Sequence, residues 1–196
     1  MRKKLFTFLF VVALVGCLTS CGTYSVNGEA DAIQFTDSSG RQVELPKDIT
    51  RIAPSGAVAT MILATIAPEY LVSVSSSPSS GQYKYLPEEL INLPTTGQLY
   101  GSKSTINLEA LLEAKPQVLI DLGDPKDGIA RDMNALQKQT GIPTIFIEAD
   151  LDSLADAYHT LGSILSGKSE RGDKLESFID ETVSMARENS EKIKDE

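Results

Sequence analysis

Few side chains in this 196-residue sequence have types and spacings that could do chemistry together. His159 is the one histidine, so a zinc site built from several imidazole nitrogens is not expected. The same scarcity leaves no convincing Ser-His-Asp triad, and the Gly-x-Ser-x-Gly turn of hydrolases is missing. The sequence therefore predicts no catalytic centre, no metal site and no cofactor.

Residues 162–169 match the phosphate-loop pattern Gly-x4-Gly-Lys-Ser. A true phosphate loop follows a buried strand and opens a helix, so that its backbone N–H groups surround the phosphates. Here a helical pattern precedes the motif. Gly167 is therefore predicted to follow the end of one helix and Ser169 to cap the next. We expect no nucleotide to bind there.

Candidate ligand contacts lie instead where predicted strands end, because open parallel sheets bind ligands outside the carboxyl ends of their strands. Tyrosines in these loops could stack on a planar ligand, and Lys126 could pair with an anionic one. Ser55 also fits the N-cap position of the helix that follows it. The predicted ligand-binding residues are Ser55, Gly56, Tyr83, Tyr85, Tyr100, Gly101, Asp124 and Lys126.

The elements that must position these residues alternate between strand and helix. Residues 33–36 and 42–45 flank a turn and predict a small β-hairpin. The alternation after residue 51 predicts an α/β fold with a doubly wound, mostly parallel sheet, flanking helices and a long C-terminal helix. The expected strands are 51–53, 71–74, 118–122 and 144–147, and the expected helices are 57–67, 88–91, 107–114, 127–140, 151–165 and 169–194.

The amino terminus is typical of a secretory signal peptide. Three basic residues precede an apolar run that ends in small residues before Cys21. The run is shorter than the roughly 20 residues of a membrane-spanning helix. Residues 18–21 have the form of a bacterial lipobox, so Cys21 is predicted to be lipidated, and residues 14–17 offer Cys17 as the alternative. Lipidation predicts anchoring on the extracytoplasmic face of the cell membrane.

The predicted boundaries are a signal peptide over 1–21, a polar spacer over 22–32, a lobe over 33–168 and a long helix from 169 to 196. The net charge of −9 disfavours binding to nucleic acid and to anionic lipid. Both cysteines fall within the signal peptide, so no disulfide framework is expected in the lobe.

Four segments carry a family resemblance. They are RIAPSG at 51–56, LVSVS at 71–75, NLEALLEAKPQVLI at 107–120 and GIP at 141–143. In this order they resemble the amino-terminal lobe of the iron-complex and cobalamin substrate-binding proteins of ABC importers. The resemblance implies two α/β lobes joined by one long helix, with the ligand between them. This chain corresponds to the first lobe and most of the joining helix, so the second lobe is expected to be absent.

The resemblance implies transport rather than catalysis. It implies a lipid-anchored binding protein that passes an iron-siderophore, haem or cobalamin to an ABC permease and its ATPase. Glu109, in the Asn-Leu-Glu segment, corresponds to the residue that docks on permease arginines. A carboxylate in the first turn also stabilises the positive end of a helix, and both roles can hold together. The family often carries Thr-Glu after its Pro-Ser turn, but this chain has Ala57-Val58, so that contact is not transferred.

Two other interpretations stay open from the sequence. One is a truncated lobe that binds no ligand and acts as an interaction module. The other is a secreted α/β hydrolase, against which the missing nucleophile and base motifs count.

Overall fold

The computed structural model describes residues 32–100 and 105–194. The predicted signal peptide, the lipidation candidates Cys21 and Cys17, nearly all of the spacer, and Gly101 lie outside these residues.

An antiparallel hairpin opens the described chain, as predicted. Its strands are β1 (Ala32–Thr36) and β2 (Gln42–Pro46). The turn between them is fixed to the domain, because the backbone N–H of Ser38 donates to the Phe146 carbonyl at 2.9 Å. Arg41, which is buried, donates to Asp37 at 3.0 Å and to the Thr144 carbonyl at 2.7 Å. The hairpin turn therefore covers one edge of the main sheet.

The main sheet is parallel and has the order β3-β4-β5. Its strands are β3 (Ile52–Pro54), β4 (Val118–Gly123) and β5 (Thr144–Glu148). The central strand β4 is buried along its whole length, as expected for a strand covered on both faces. These three strands confirm the predicted ones to within two residues at each end.

The predicted strand at 71–74 is not a regular strand. Leu71 makes one bridge to Ile52, and Val74 then pairs with Thr95. The Val72 N–H donates to the Ile52 carbonyl at 3.0 Å. The next bond of a parallel ladder would need the N–H that Pro54 lacks. The ladder therefore stops after one bridge, and the segment turns to residues 94–96.

Helices cover both faces of the sheet. The helices α1 (Ala57–Ile66) and α5 (Leu154–Ile164) pack against alternate β4 residues Val118, Ile120 and Leu122. On the other face, α3 (Leu108–Ala114) and α4 (Ile129–Thr140) pack near Leu119 and Phe146. A short helix, α2 (Glu88–Ile91), lies in the connection before α3. The doubly wound α/β class predicted from the sequence is confirmed.

Local capping explains where two helices begin later than predicted. Gly128 has a φ of +79° and caps α4, so that helix begins at Ile129 rather than at residue 127. The Asp150 carboxylate accepts hydrogen bonds from the backbone of Asp152 and Ser153, and this turn delays α5 until Leu154. The first shift comes from the left-handed backbone of a glycine, and the second from a polar side chain that competes with the helical backbone pattern.

The last helix, α6 (Ser169–Lys194), is 26 residues long, as predicted. It crosses α5 at a pair of glycines. A Cβ on Gly162 would lie 2.9 Å from the Cα of Gly172, so the two backbones approach too closely for side chains. Gly162 is therefore part of a helix crossing, and the phosphate-loop motif follows a helix as expected. None of the helices in residues 32–100 and 105–194 is long and apolar enough to span a bilayer.

Candidate ligand-binding site

A cavity of about 240 Å³ lies at the carboxyl ends of β3 and β4, beside the amino terminus of α1. We call it the strand-end pocket. Its lining residues are Ser55, Gly56, Ala57, Val58, Ala59, Gln98, Tyr100, Asp121, Leu122 and Lys126.

A buried polar pair forms the base of the pocket. Ser55 follows β3 and donates its hydroxyl hydrogen to Asp121 Oδ1 on the neighbouring strand. Both residues are almost completely buried. Ser55 was predicted as the N-cap of α1, and that prediction is wrong. Gly56 holds the N-cap position, because the Ser55 hydroxyl is already committed to Asp121.

Asp121 lines the pocket but is not among the residues predicted from the sequence. Its side chain is only 5% exposed, and its second oxygen, Oδ2, has no hydrogen-bond partner in the described part of the chain. Burial raises the pKa of the Asp121 carboxyl, while the Ser55 hydrogen bond and the Lys126 charge act in the opposite direction. A buried polar atom without a partner is costly, so a ligand that satisfies it would be favoured. The sequence signal is one carboxylate within the apolar run VLIDLG.

Lys126 and Tyr100 form the side of the pocket. The Lys126 Nζ atom lies 3.8 Å from Asp121 Oδ2, which is beyond hydrogen-bond distance. It also lies 4.6 Å from the centre of the Tyr100 ring, a cation–π contact. The buried Tyr100 hydroxyl has no partner among residues 32–100 and 105–194. Burial, followed by the charge of Asp121, raises the pKa of Tyr100 to about 12, so the hydroxyl keeps its hydrogen and can donate it.

The amino terminus of α1 forms the rest of the pocket wall. The first N–H groups of any helix lack partners within that helix. No side chain caps α1 and no acidic residue occurs in its first turn. Ala57, Val58 and Ala59 line the pocket, so the positive end of the helix dipole lies beside it.

The strand-end pocket brings together half of the predicted ligand contacts, namely Ser55, Gly56, Tyr100 and Lys126. Asp124 is exposed on the loop after β4 and does not line it. Tyr85 is 76% exposed and lines a second cavity, of about 450 Å³, between α1 and the loop that follows residue 74. Tyr83 is exposed and lines neither cavity. The three predicted tyrosines therefore do not form one stacking surface.

Glu109 occupies the first turn of α3 and is exposed. Asn107 caps this helix, because its side-chain oxygen accepts a hydrogen bond from the Ala110 N–H at 3.1 Å. The position suits both roles given to Glu109, stabilisation of the helix end and contact with a cationic partner.

One group of side chains in the described residues has the composition of a metal site, His159 with Asp173 and Glu176. His159 Nδ1 lies 3.0 Å from Glu176 Oε2 and 3.4 Å from Asp173 Oδ1. His159 and Asp173 are exposed, and together the three connect α5 to α6. They share no residue with the strand-end pocket.

The described chain is a parallel α/β lobe with a pocket at the carboxyl ends of its strands, which is where open parallel sheets bind ligands. The chain belongs to the periplasmic binding protein family, whose model matches residues 52–196. No curated protein has a significantly similar sequence.

Solved structures share this fold. An ABC transporter solute-binding protein from Sulfurospirillum deleyianum is 28% identical, with a TM-score of 0.63 over 74% of this chain and 45% of its own. A periplasmic solute-binding protein from Veillonella parvula is 23% identical, with a TM-score of 0.62 over 81% and 48%. The haem-binding protein HmuT is 20% identical, with a TM-score of 0.51 over 84% and 49%. The chain thus spans slightly less than half the length of these structures.

Proposed function

We propose that this chain is the ligand-binding lobe of an ABC importer's extracytoplasmic solute-binding protein. Its ligand is an iron complex, either a ferric siderophore or haem, or a cobalamin-like cofactor. The observation that carries the proposal is the strand-end pocket, where Asp121 Oδ2 and the Tyr100 hydroxyl have no hydrogen-bond partner within the described residues. Such groups at the strand ends of a periplasmic-binding fold suit a ligand that supplies the missing hydrogen bonds.

The pocket's chemistry favours binding over catalysis. Ser55 donates to a carboxylate and has no histidine beside it, since His159 lies on α5 and contacts Asp173 and Glu176. A serine without a neighbouring base is a weak nucleophile. This supports transport rather than the alternative hydrolase interpretation.

The remaining parts of the proposal concern delivery. Lipidation at Cys21 would hold the protein at the membrane surface, and Glu109 on α3 would meet arginines of the permease. The permease and its ATPase would then move the ligand released by the lobe. Residues 33–168 would form the lobe, and the helix from residue 169 would lead towards a second lobe.

Retention of coloured ligands on the purified chain tests the proposal. The sequence contains no tryptophan and six tyrosines, so quenching of tyrosine emission, corrected for ligand absorption, gives a second readout. The panel is a ferric siderophore, haem and cobalamin. Haem is included because a protein with this lobe fold binds it.

We expect saturable binding of one of the three, weakened at least tenfold by Lys126→Gln. The matched control is Lys138→Gln, on the exposed side of α4. Absence of binding by all three would overturn the proposed ligand class and favour the interaction-module interpretation.

A further inference from the structure

The residues of the strand-end pocket indicate the charge of its ligand as well as its size. Three groups of positive or hydrogen-donating character belong to residues that line this pocket: the uncapped amino terminus of α1, the Lys126 ammonium and the Tyr100 hydroxyl. Helix amino termini and lysines are common binding groups for oxyanions. An acidic group on α1 would weaken this field, but the sequence AVATMILATI contains none.

An oxyanion bound in the pocket would lie beside the Asp121 carboxyl. Its Oδ2 atom is buried and has no hydrogen-bond partner in the described residues, although Lys126 Nζ lies 3.8 Å away, and Asp121 lines the same pocket as the α1 terminus. An ionised carboxylate would repel an anion at that place. A protonated carboxyl would instead donate a hydrogen bond from Oδ2, while Oδ1 continues to accept from Ser55.

We propose that the strand-end pocket binds an oxyanionic group of the ligand, a carboxylate or a tetrahedral oxyanion, with a proton held on Asp121. The group lies between the α1 amino terminus and Lys126, and Asp121 and Tyr100 donate hydrogen bonds to it. This inference rests on the proposed ligand-binding function and specifies its chemistry. Where Asp121 is ionised in the free protein, binding takes up one proton, so affinity falls as the pH rises.

The Lys126 charge opposes this proton uptake, but burial outweighs it. Lys126 faces Oδ2 from the loop after β4, and Tyr100 faces it from the segment before α3. Arg131 and Asp132 of α4 act on Tyr100 with opposite signs. The neighbouring strand places Phe146 opposite Asp121, and α1 supplies no titratable side chain. Burial therefore remains the strongest influence on the carboxyl and raises its pKa.

Sulfate and trifluoroacetate are the probes, because both are fully ionised between pH 5.5 and pH 7.5. Any pH dependence of their binding then comes from the protein. Sulfate represents a tetrahedral oxyanion, and trifluoroacetate represents the carboxylate of a larger ligand. The two titrations therefore show which of these two oxyanionic groups the pocket binds. The ¹⁵N-labelled full chain is titrated with each at constant ionic strength, with sodium chloride as the counter-titration and magnesium chloride as a cation control.

We expect saturable shifts of the Ala57, Val58 and Ala59 amide signals, with affinity up to about tenfold higher per pH unit of acidification. Lys126→Gln weakens binding at least tenfold, whereas Lys138→Gln leaves it unchanged. Asp121→Asn keeps a hydrogen-bond donor but cannot titrate, so its binding persists and becomes independent of pH. The spectrum of each variant also shows whether it is folded.

Several results would overturn the inference. They are shifts that follow ionic strength alone, tighter binding at pH 7.5, a pH dependence that survives in Asp121→Asn, or a response to magnesium instead of to the anions. If haem, the siderophore or cobalamin binds but neither anion shifts these amides, the oxyanion inference fails and the proposed function stands. If the anions bind and none of the three large ligands does, the proposed ligand class fails alone.

Discussion

The Ser55 hydroxyl donates a hydrogen bond to Asp121 Oδ1 across the ends of two adjacent parallel strands, β3 and β4. The two residues are 66 positions apart in the sequence. This contact fixes one oxygen of a buried carboxyl that lines the strand-end pocket, while the other oxygen has no hydrogen-bond partner in the described part of the chain. The same pair therefore affects the stability of the fold and, under the proposed function, the binding of the ligand.

Asp121→Asn is expected to stabilise the folded chain at pH 7.5. Burial raises the pKa of Asp121 in the folded state above its value in the unfolded state, so the folded state binds more protons. Its free energy of unfolding therefore decreases as the pH rises towards the folded pKa, by about 1.4 kcal/mol for each unit of difference between the two pKa values. The amide has no charged form and avoids this loss.

Thermal unfolding of both proteins by circular dichroism checks this at pH 4.5, 6 and 7.5. The variant should gain in midpoint relative to the parent as the pH rises, and about 1 kcal/mol corresponds to roughly 2–4 °C for a chain of this size. The difference between the two proteins is the relevant quantity, because the lowered pKa values of Glu69, Asp150 and Glu170 act in the opposite direction in both. A constant difference would contradict the prediction.

Ser55→Ala should destabilise the fold by about 1–3 kcal/mol, because it leaves Asp121 Oδ1 buried without its donor. Ser55→Thr keeps a hydroxyl and should recover much of the loss. Urea unfolding measures the free energies. Ser163→Ala is the matched control: its hydroxyl bonds only to a carbonyl on the same exposed helical turn, so its effect should stay within about 0.5 kcal/mol. Equal losses at both serines would argue against the buried pair.

The parts of the fold that could be predicted from the sequence are those with local signals. The apolar run of β4 and the long uninterrupted pattern of α6 were both located correctly. The prediction of a strand at 71–74 is wrong because strand formation there depends on the neighbouring strand. Pro54 on that strand lacks the N–H of the next ladder hydrogen bond. No property of residues 71–74 themselves carries that information.

The site was only partly predictable for a related reason. The rule that ligands bind at strand ends selected Ser55, Tyr100 and Lys126, which do meet. The same rule selected Tyr83 and Asp124, which do not line the pocket, because loop direction cannot be inferred from loop position. Asp121 was missed since it lies within a strand, and its importance appears only when Ser55 is placed beside it.

Gly162→Ala should destabilise the chain despite the higher helix propensity of alanine. A Cβ at this position would meet the Gly172 Cα at 2.9 Å and the Lys168 carbonyl at 3.2 Å. Both contacts are with backbone, so α6 must move away from α5. A cost of about 1–3 kcal/mol is expected from overpacking, reduced by up to about 1 kcal/mol from propensity. Urea unfolding measures this cost, and Gly81→Ala, in a turn where the Cβ would enter open space, is the control for a glycine substitution without steric contact. A more stable Gly162→Ala chain would show that the helices do not cross this closely.

Under the proposed function, Glu109→Ala should impair delivery of the ligand to the permease and leave ligand binding intact. Glu109 is exposed in the first turn of α3 and lines neither cavity, so ligand affinity should be unchanged. Loss of a charge at a helix amino terminus costs the fold about 0.3–1 kcal/mol at most. Ligand-stimulated ATP hydrolysis by the reconstituted permease should decrease at least fivefold. Glu113→Ala, an exposed carboxylate near the other end of the same helix, controls for charge and should leave stimulation intact. Impaired ligand binding with normal stimulation would instead assign Glu109 to the ligand, whereas equal losses in both variants would indicate a general charge effect.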